Sequence, residues 1–208
     1  EGSLEYSYLQ HAKQLTDLTR DLFEDENNGG FFLTAHDGEV LLARPKEIYD
    51  GAIPSGNSIM ALNLARLWKT TGNQAYEKSL NLCFSAFSGF LQSNPSGAEN
   101  FLHSLAYILQ PPQEIIIAGK KKNPLTQLFI KEVQSSFLPF KALLFLPTDT
   151  KNEPIIKLAP HLRSFVEISK PTFFLCRNFT CEQPCNQINE VREVLNQMIP
   201  SPPSMFVE

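Results

Sequence analysis

Leu4, Tyr8, Leu15, Leu18 and Leu22 recur at helical spacing and stop at Asn27-Asn28-Gly29-Gly30. The spacing predicts a first helix closed by a glycine stop. Phe31 to Thr34 and Val40 to Arg44 are short β-prone runs around Asp37-Gly38, a pattern that predicts a small β-hairpin. Past Pro54, Ser55 or Asn57 is placed to cap a helix through Trp68, and Ile59, Met60, Leu62, Leu64, Ala65 and Leu67 make that helix apolar on nearly every side, as a buried helix is. Gly72-Asn73 breaks the chain before a helix carrying Leu80, Cys83, Phe84, Phe87 and Phe90. Asn94-Pro95 opens a fourth helix with Phe101, Leu105 and Leu109.

The pattern changes near Gln110. Glu114 to Gly119, Ala142 to Leu146 and Thr172 to Cys176 are short apolar runs, separated by an amphipathic stretch over Leu125 to Phe137 and followed by another over Gln187 to Met198. Strands alternating with helices predict a three-stranded, mainly parallel sheet. Pro160 interrupts Pro154 to Phe165, which is left as a short helix at best. The fold class is therefore α+β overall: helical hairpins with a small β-hairpin, then a small α/β unit, with a boundary that divides 1–110 from 111–208.

Composition sharpens that boundary. Twelve of fifteen prolines lie from Pro111 onward, and nine of ten glycines lie before it. The first 110 residues carry seven basic and thirteen acidic side chains, net −6; the rest carry eleven and nine, net +2. With a total charge of −4 in 208 residues, the chain lacks the basic footprint of a nucleic-acid binder. Its apolar runs are far shorter than the roughly 20 residues of a membrane span, and its first residues lack a basic-then-apolar secretory pattern. These readings predict no nucleic acid, no membrane and a cytoplasmic location.

The densest polar segment runs from Arg44 to Ser58. It joins the predicted hairpin to the buried helix, and binding residues concentrate on loops held by rigid elements. Arg44, Ser55 and Asn57 offer donors and acceptors to a hydroxyl-rich ligand, and Lys46, Glu47 and Asp50 offer the acid and base of a proton transfer. The same residues also read as structure, with Ser55 or Asn57 capping the helix and Arg44 paired with Asp50. Gly119-Lys120-Lys121-Lys122 lies at a strand-to-helix corner, where anions bind in α/β sheets, but no phosphate-loop pattern accompanies it. Cys176, Cys181 and Cys185 lack the paired short spacers of zinc sites, so no metal and no required disulfide are expected. Neither C-x-x-C nor G-x-S-x-G is present, which leaves the segment without a thioredoxin-type redox motif or a nucleophile elbow. No cofactor is expected.

Gly29-Gly30-Phe31-Phe32, the Arg44 to Ser58 run, Glu114-Ile115-Ile116-Ile117-Ala118-Gly119 and Cys176-Arg177-Asn178-Phe179-Thr180-Cys181 resemble the thioredoxin-domain-containing family that includes spermatogenesis-associated protein 20. The resemblance covers essentially the whole chain. It implies a C-terminal segment of a multidomain protein, in which a thioredoxin-like domain precedes an (α/α) toroid similar to N-acylglucosamine 2-epimerases and six-hairpin glycosidases. Cys185 departs from the family pattern, and thioredoxin chemistry does not carry over to this segment. The expected function is part of a carbohydrate-binding or sugar-processing toroid with a saccharide ligand; the alternative is a noncatalytic interaction scaffold. A partial ring leaves its seam open, so self-association through an exposed apolar face is also expected.

Overall fold

Ser55, Asn73 and Asn123 each turn a side-chain oxygen onto the free N–H groups that begin a helix, accepting from Ser58, Ala75 and Leu125. Such caps satisfy donors that the helix itself cannot, and they fix where it starts. Their positions organise the chain, whose computed structural model describes residues 2–110, 113–150, 152–177 and 180–198. Two compact units result: Glu5–Pro111, and Pro112–Glu208 together with Glu1–Leu4.

The first unit contains α1 (Tyr6–Phe23), α2 (Gly56–Thr71), α3 (Gln74–Ser93) and α4 (Glu99–Leu109), with one 3-10 turn at Pro95–Gly97. Gly72 closes α2 in the left-handed conformation, at φ 71°, where glycine avoids the Cβ penalty. α2 packs on both α3 and α4. Leu64, Ala65, Leu80 and Cys83 are completely buried there, and Phe101 takes the edges of Phe84 and Phe87 at 5.3 and 5.7 Å.

α1 is oriented against its own hydrophobic pattern. Thr16 is its buried residue. Its inward face is polar: the Tyr76 hydroxyl donates to Asp17 at 2.7 Å, and Arg20 donates to Ser79 and Glu24 at 2.9 and 3.0 Å. Tyr8, Leu15 and Leu18 instead stand 66, 64 and 53% exposed. α1 therefore carries an exposed apolar face, while the apolar circumference of α2 is covered apart from Ile59.

The predicted hairpin between Phe31 and Arg44 does not form. Phe31 makes a single bridge to Glu24, and the remainder runs through turns and bends. Its backbone finds other partners, since Leu33 N–H donates to the Pro45 carbonyl and Phe32 N–H to that of Phe23. Val40 and Leu42 are fully exposed, so no apolar surface holds the two runs in register.

The second unit holds β1 (Gln113–Gly119), α5 (Pro124–Ser135), β2 (Lys141–Pro147), α6 (Glu153–Leu158), a 3-10 turn over Pro160–Phe165, β3 (Thr172–Arg177), β4 (Thr180–Cys181) and α7 (Ile188–Met198). The sheet is four-stranded and mixed, in the order β2-β1-β3-β4, rather than three-stranded and mainly parallel. β1 and β2 are parallel, as the α5 crossover requires, whereas β3 runs antiparallel to β1 and β4 antiparallel to β3. Strand direction depends on the path of the connection through α6 and its 3-10 turn, which apolar runs do not encode. One sheet face buries Ile115, Ile117, Leu143, Phe145, Phe173 and Leu175 with Phe129 and Val133 of α5 and Val191, Leu195 and Met198 of α7. The opposite face carries Glu114 and Phe174, which meet His161 and Phe165 of the 3-10 turn.

No required disulfide was expected of these cysteines, yet Cys176 and Cys181 are bonded to each other. They are cross-strand partners in the β3–β4 pair. The neighbouring Glu182 N–H donates to the Leu175 carbonyl, which makes 176/181 the non-hydrogen-bonded pair, where side chains approach most closely. Short β4 carries no hydrophobic signal, and without it the pairing is invisible in the spacing.

Candidate functional site

From Arg44 to Asp50 the chain belongs to no helix or strand, and its side chains alternate between inward and exposed positions with a two-residue period. Lys46, Ile48 and Asp50 turn inward, while Pro45, Glu47 and Tyr49 are exposed. Arg44 is half-buried. Its guanidinium lies 4.1 Å from the Phe32 ring centre, and it donates to the Thr34 carbonyl instead of pairing with Asp50. Lys46 shares the same ring, with Nζ 4.8 Å from its centre, and donates to Asp25 at 2.7 Å and to the Gly29 carbonyl at 2.6 Å.

Asp25 thereby becomes the anchor of this corner. The Lys46 hydrogen bond, helped by the Asn27 and Asn28 N–H groups, holds its carboxyl well below the usual carboxylate range against the cost of partial burial. Nothing in the sequence ties it to a lysine 21 positions away; only its place before Asn27-Asn28-Gly29-Gly30 marks a turn.

Asp50 ties two helix starts together. One carboxylate oxygen accepts from Ser55 N–H and the other from Asn100 N–H, both at 2.8 Å. Burial raises its pKa, but these bonds and those from Ser58 and Phe101 outweigh it, so the carboxyl lies below its ordinary value. An acid held ionised in this way is a poor proton donor near neutrality.

Asn57 is 2% exposed and fully used. Its Oδ1 accepts from Phe31 N–H at 2.6 Å, and its Nδ2 donates to the carbonyls of Phe31 and Glu47 at 3.0 and 2.7 Å. Gly30, at φ 76°, leaves the space: a Cβ there would lie 3.2 Å from Asn57 Oδ1 and 2.9 Å from the Phe87 ring. Ser55 is bonded to Ser58, through both the backbone N–H and the hydroxyl. The structure therefore gathers Arg44, Lys46, Asp50, Ser55 and Asn57 on one segment but gives each a different internal partner. Lys46, Glu47 and Asp50 do not converge on a common point, and Glu47 alone among them presents its side chain to solvent.

At the other corner, Asn123 Oδ1 takes the N–H groups of Leu125 and Thr126 at the start of α5, and Lys121 N–H donates to Asp149. These three backbone donors, which an anion at the start of α5 would use, are occupied. Among the described residues, no group of three or more His, Cys, Asp or Glu is arranged to hold a metal ion. Cys185 is separated from Cys176 by the sheet, because it belongs to the face packed on α5 and α7.

These features define an α+β chain whose most polar segment is a structural hub, with an outward row of Glu47 and Tyr49. The sequence comparison adds a particular likeness. The chain is similar to spermatogenesis-associated protein 20 of Rattus norvegicus and of Mus musculus, each 30% identical over 199 residues, 95% of this chain. An uncharacterized protein of Caenorhabditis elegans is 25% identical over 190 residues. The chain spans about a quarter of the length of these curated relatives. No protein-family model matches it.

Proposed function

We propose that this chain is a noncatalytic scaffold segment whose helical unit docks a further helix along α1, within a protein of its relatives' length. The exposed stripe of α1 carries the proposal. Tyr8, His11, Leu15, Leu18 and Leu22 follow alternating spacings of three and four, the repeat of a helix-pairing seam. Two exposed leucines forgo about 1.5–3 kcal/mol each of burial free energy, and a partner helix recovers it. The inward commitments of Lys46, Asp50 and Asn57 support the same reading, because they leave no converged acid and base. The test is a Leu15→Glu/Leu18→Glu variant examined by sedimentation and dye binding. Reduced association and dye binding at an unchanged melting temperature support docking; a lowered melting temperature shows that the stripe already serves this unit's own core.

Saccharide binding by a toroid is the second reading, favoured by the exposed Tyr49 ring beside Glu47. Aromatic faces stack on sugar rings and carboxylates accept from their hydroxyls. Titration with a panel of mono- and disaccharides, followed by Tyr49→Ala and Glu47→Gln, decides it. Binding lost in both variants with stability unchanged supports the reading, and the absence of any binding removes it.

A further inference from the structure

We propose that Cys176 and Cys181 form a thiol–disulfide exchange site for small monothiols, with the Glu114–His161 pair as its proton reservoir. The placement comes from the sheet register. Glu114 is the partner of Ala142 on one side and of Cys176 on the other, and Cys176 is the partner of Cys181. Directly opposed residues share a face with Cβ atoms about 4.5–5.5 Å apart, so a buried carboxylate and the disulfide are neighbours in one row. Glu114 is 7% exposed, and its Oε1 lies 2.7 Å from His161 Nε2. A carboxylate kept on the inner side of a sheet is costly unless it is paired. Here it is paired with an imidazole, a group able to hold or release one proton.

Accessibility sets the direction of attack. Cys176 is 1% exposed, whereas Cys181 is half-buried at the end strand. An incoming thiolate therefore attacks Cys181 Sγ, forming a mixed disulfide as the Cys176–Cys181 bond breaks. The electron pair leaves on Cys176, which takes a proton from the Glu114–His161 pair; the pair regains the proton that the incoming thiol lost. A second monothiol attacks the sulfur derived from the first, releasing Cys181 as a thiol and the two monothiols as their disulfide. The protein disulfide is reduced by two electrons and two monothiols are oxidised, so atoms and charge balance. Cys83 and Cys185 take no part. Both are buried, and burial pushes the Cys83 thiol up to about 12 and raises that of Cys185.

The experiment treats the native chain with reduced glutathione, alkylates it and locates the label by peptide mass spectrometry. Labelling of Cys176 and Cys181, with Cys83 and Cys185 unlabelled, is the expected result. In Cys176→Ser, oxidised glutathione should form a mixed disulfide at Cys181; in Cys181→Ser, adduct formation at Cys176 should be at least ~10-fold slower. Glu114→Gln and His161→Asn should each slow wild-type exchange ~10-fold or more, the low end of general acid–base effects. His161 is the more exposed partner, so its variant reports on the pair even if Glu114→Gln fails to fold. Labelling only after denaturation, or equal labelling of all four cysteines, overturns the exchange site. Exchange rates unchanged in a folded His161→Asn overturn the proton reservoir.

Discussion

Asn57 shows how a residue that reads as a ligand contact in sequence becomes a fastener in the fold. It satisfies one N–H and two carbonyls of two separate strands of chain, all in a buried position. Asn57→Ala should therefore cost about 2–4 kcal/mol, since it leaves buried polar groups unmatched; urea unfolding followed by the fluorescence of the single Trp68 measures it. Asp17, Asp25 and Asp50 make a related prediction. All three have depressed folded-state pKa values: burial opposes the shift at Asp17 and Asp50 but hydrogen bonds outweigh it, and the Lys46 bond dominates at Asp25. Groups of this kind contribute stability that is present above the unfolded carboxylate value of about 3.9 and is lost as pH falls through the folded values. Unfolding free energy should hold level from about pH 8 to pH 5 and decline below about pH 4. Asp25→Asn should lower the plateau and shallow the decline in the same urea series.

At the scale of elements, α1 is the informative one. Its stripe of Tyr8, Leu15 and Leu18 was legible as a helix but not as a helix facing outward, because periodicity gives a face without saying what covers it. Asp17 and Arg20 win the inner position through bonds to Tyr76 and Ser79 of α3, with Thr16 buried on the same helix. The Phe31 to Arg44 segment failed for the opposite reason, since β-prone runs around Asp37-Gly38 lacked a surface to pair upon. Gly30 is a sharper test of local geometry. Gly30→Ala should destabilise the first unit by about 1–3 kcal/mol, because it forces a Cβ against Phe87 in a left-handed backbone. Thermal melting by circular dichroism reads this, and an unchanged melting temperature would show that the ring yields.

Across the whole molecule, each compact unit has its own buried core. Phe129, completely buried against the sheet, belongs to the second, and Trp68 to the first. Phe129→Ala should cost the α/β unit about 3–5 kcal/mol while leaving the Trp68 fluorescence transition in place; a matching shift in both would show that the units unfold together. Local signals were enough for the helices capped by Ser55, Asn73 and Asn123 and for the apolar strands β1, β2 and β3, because caps and hydrophobic runs act over a few residues. Tertiary structure decided what depends on partners far along the chain. It set the direction of β3, the pairing of Cys176 with Cys181, the seat of Lys46 on Asp25 and the outward face of α1. Each is fixed by which surface arrives opposite it, and neither composition nor spacing carries that information.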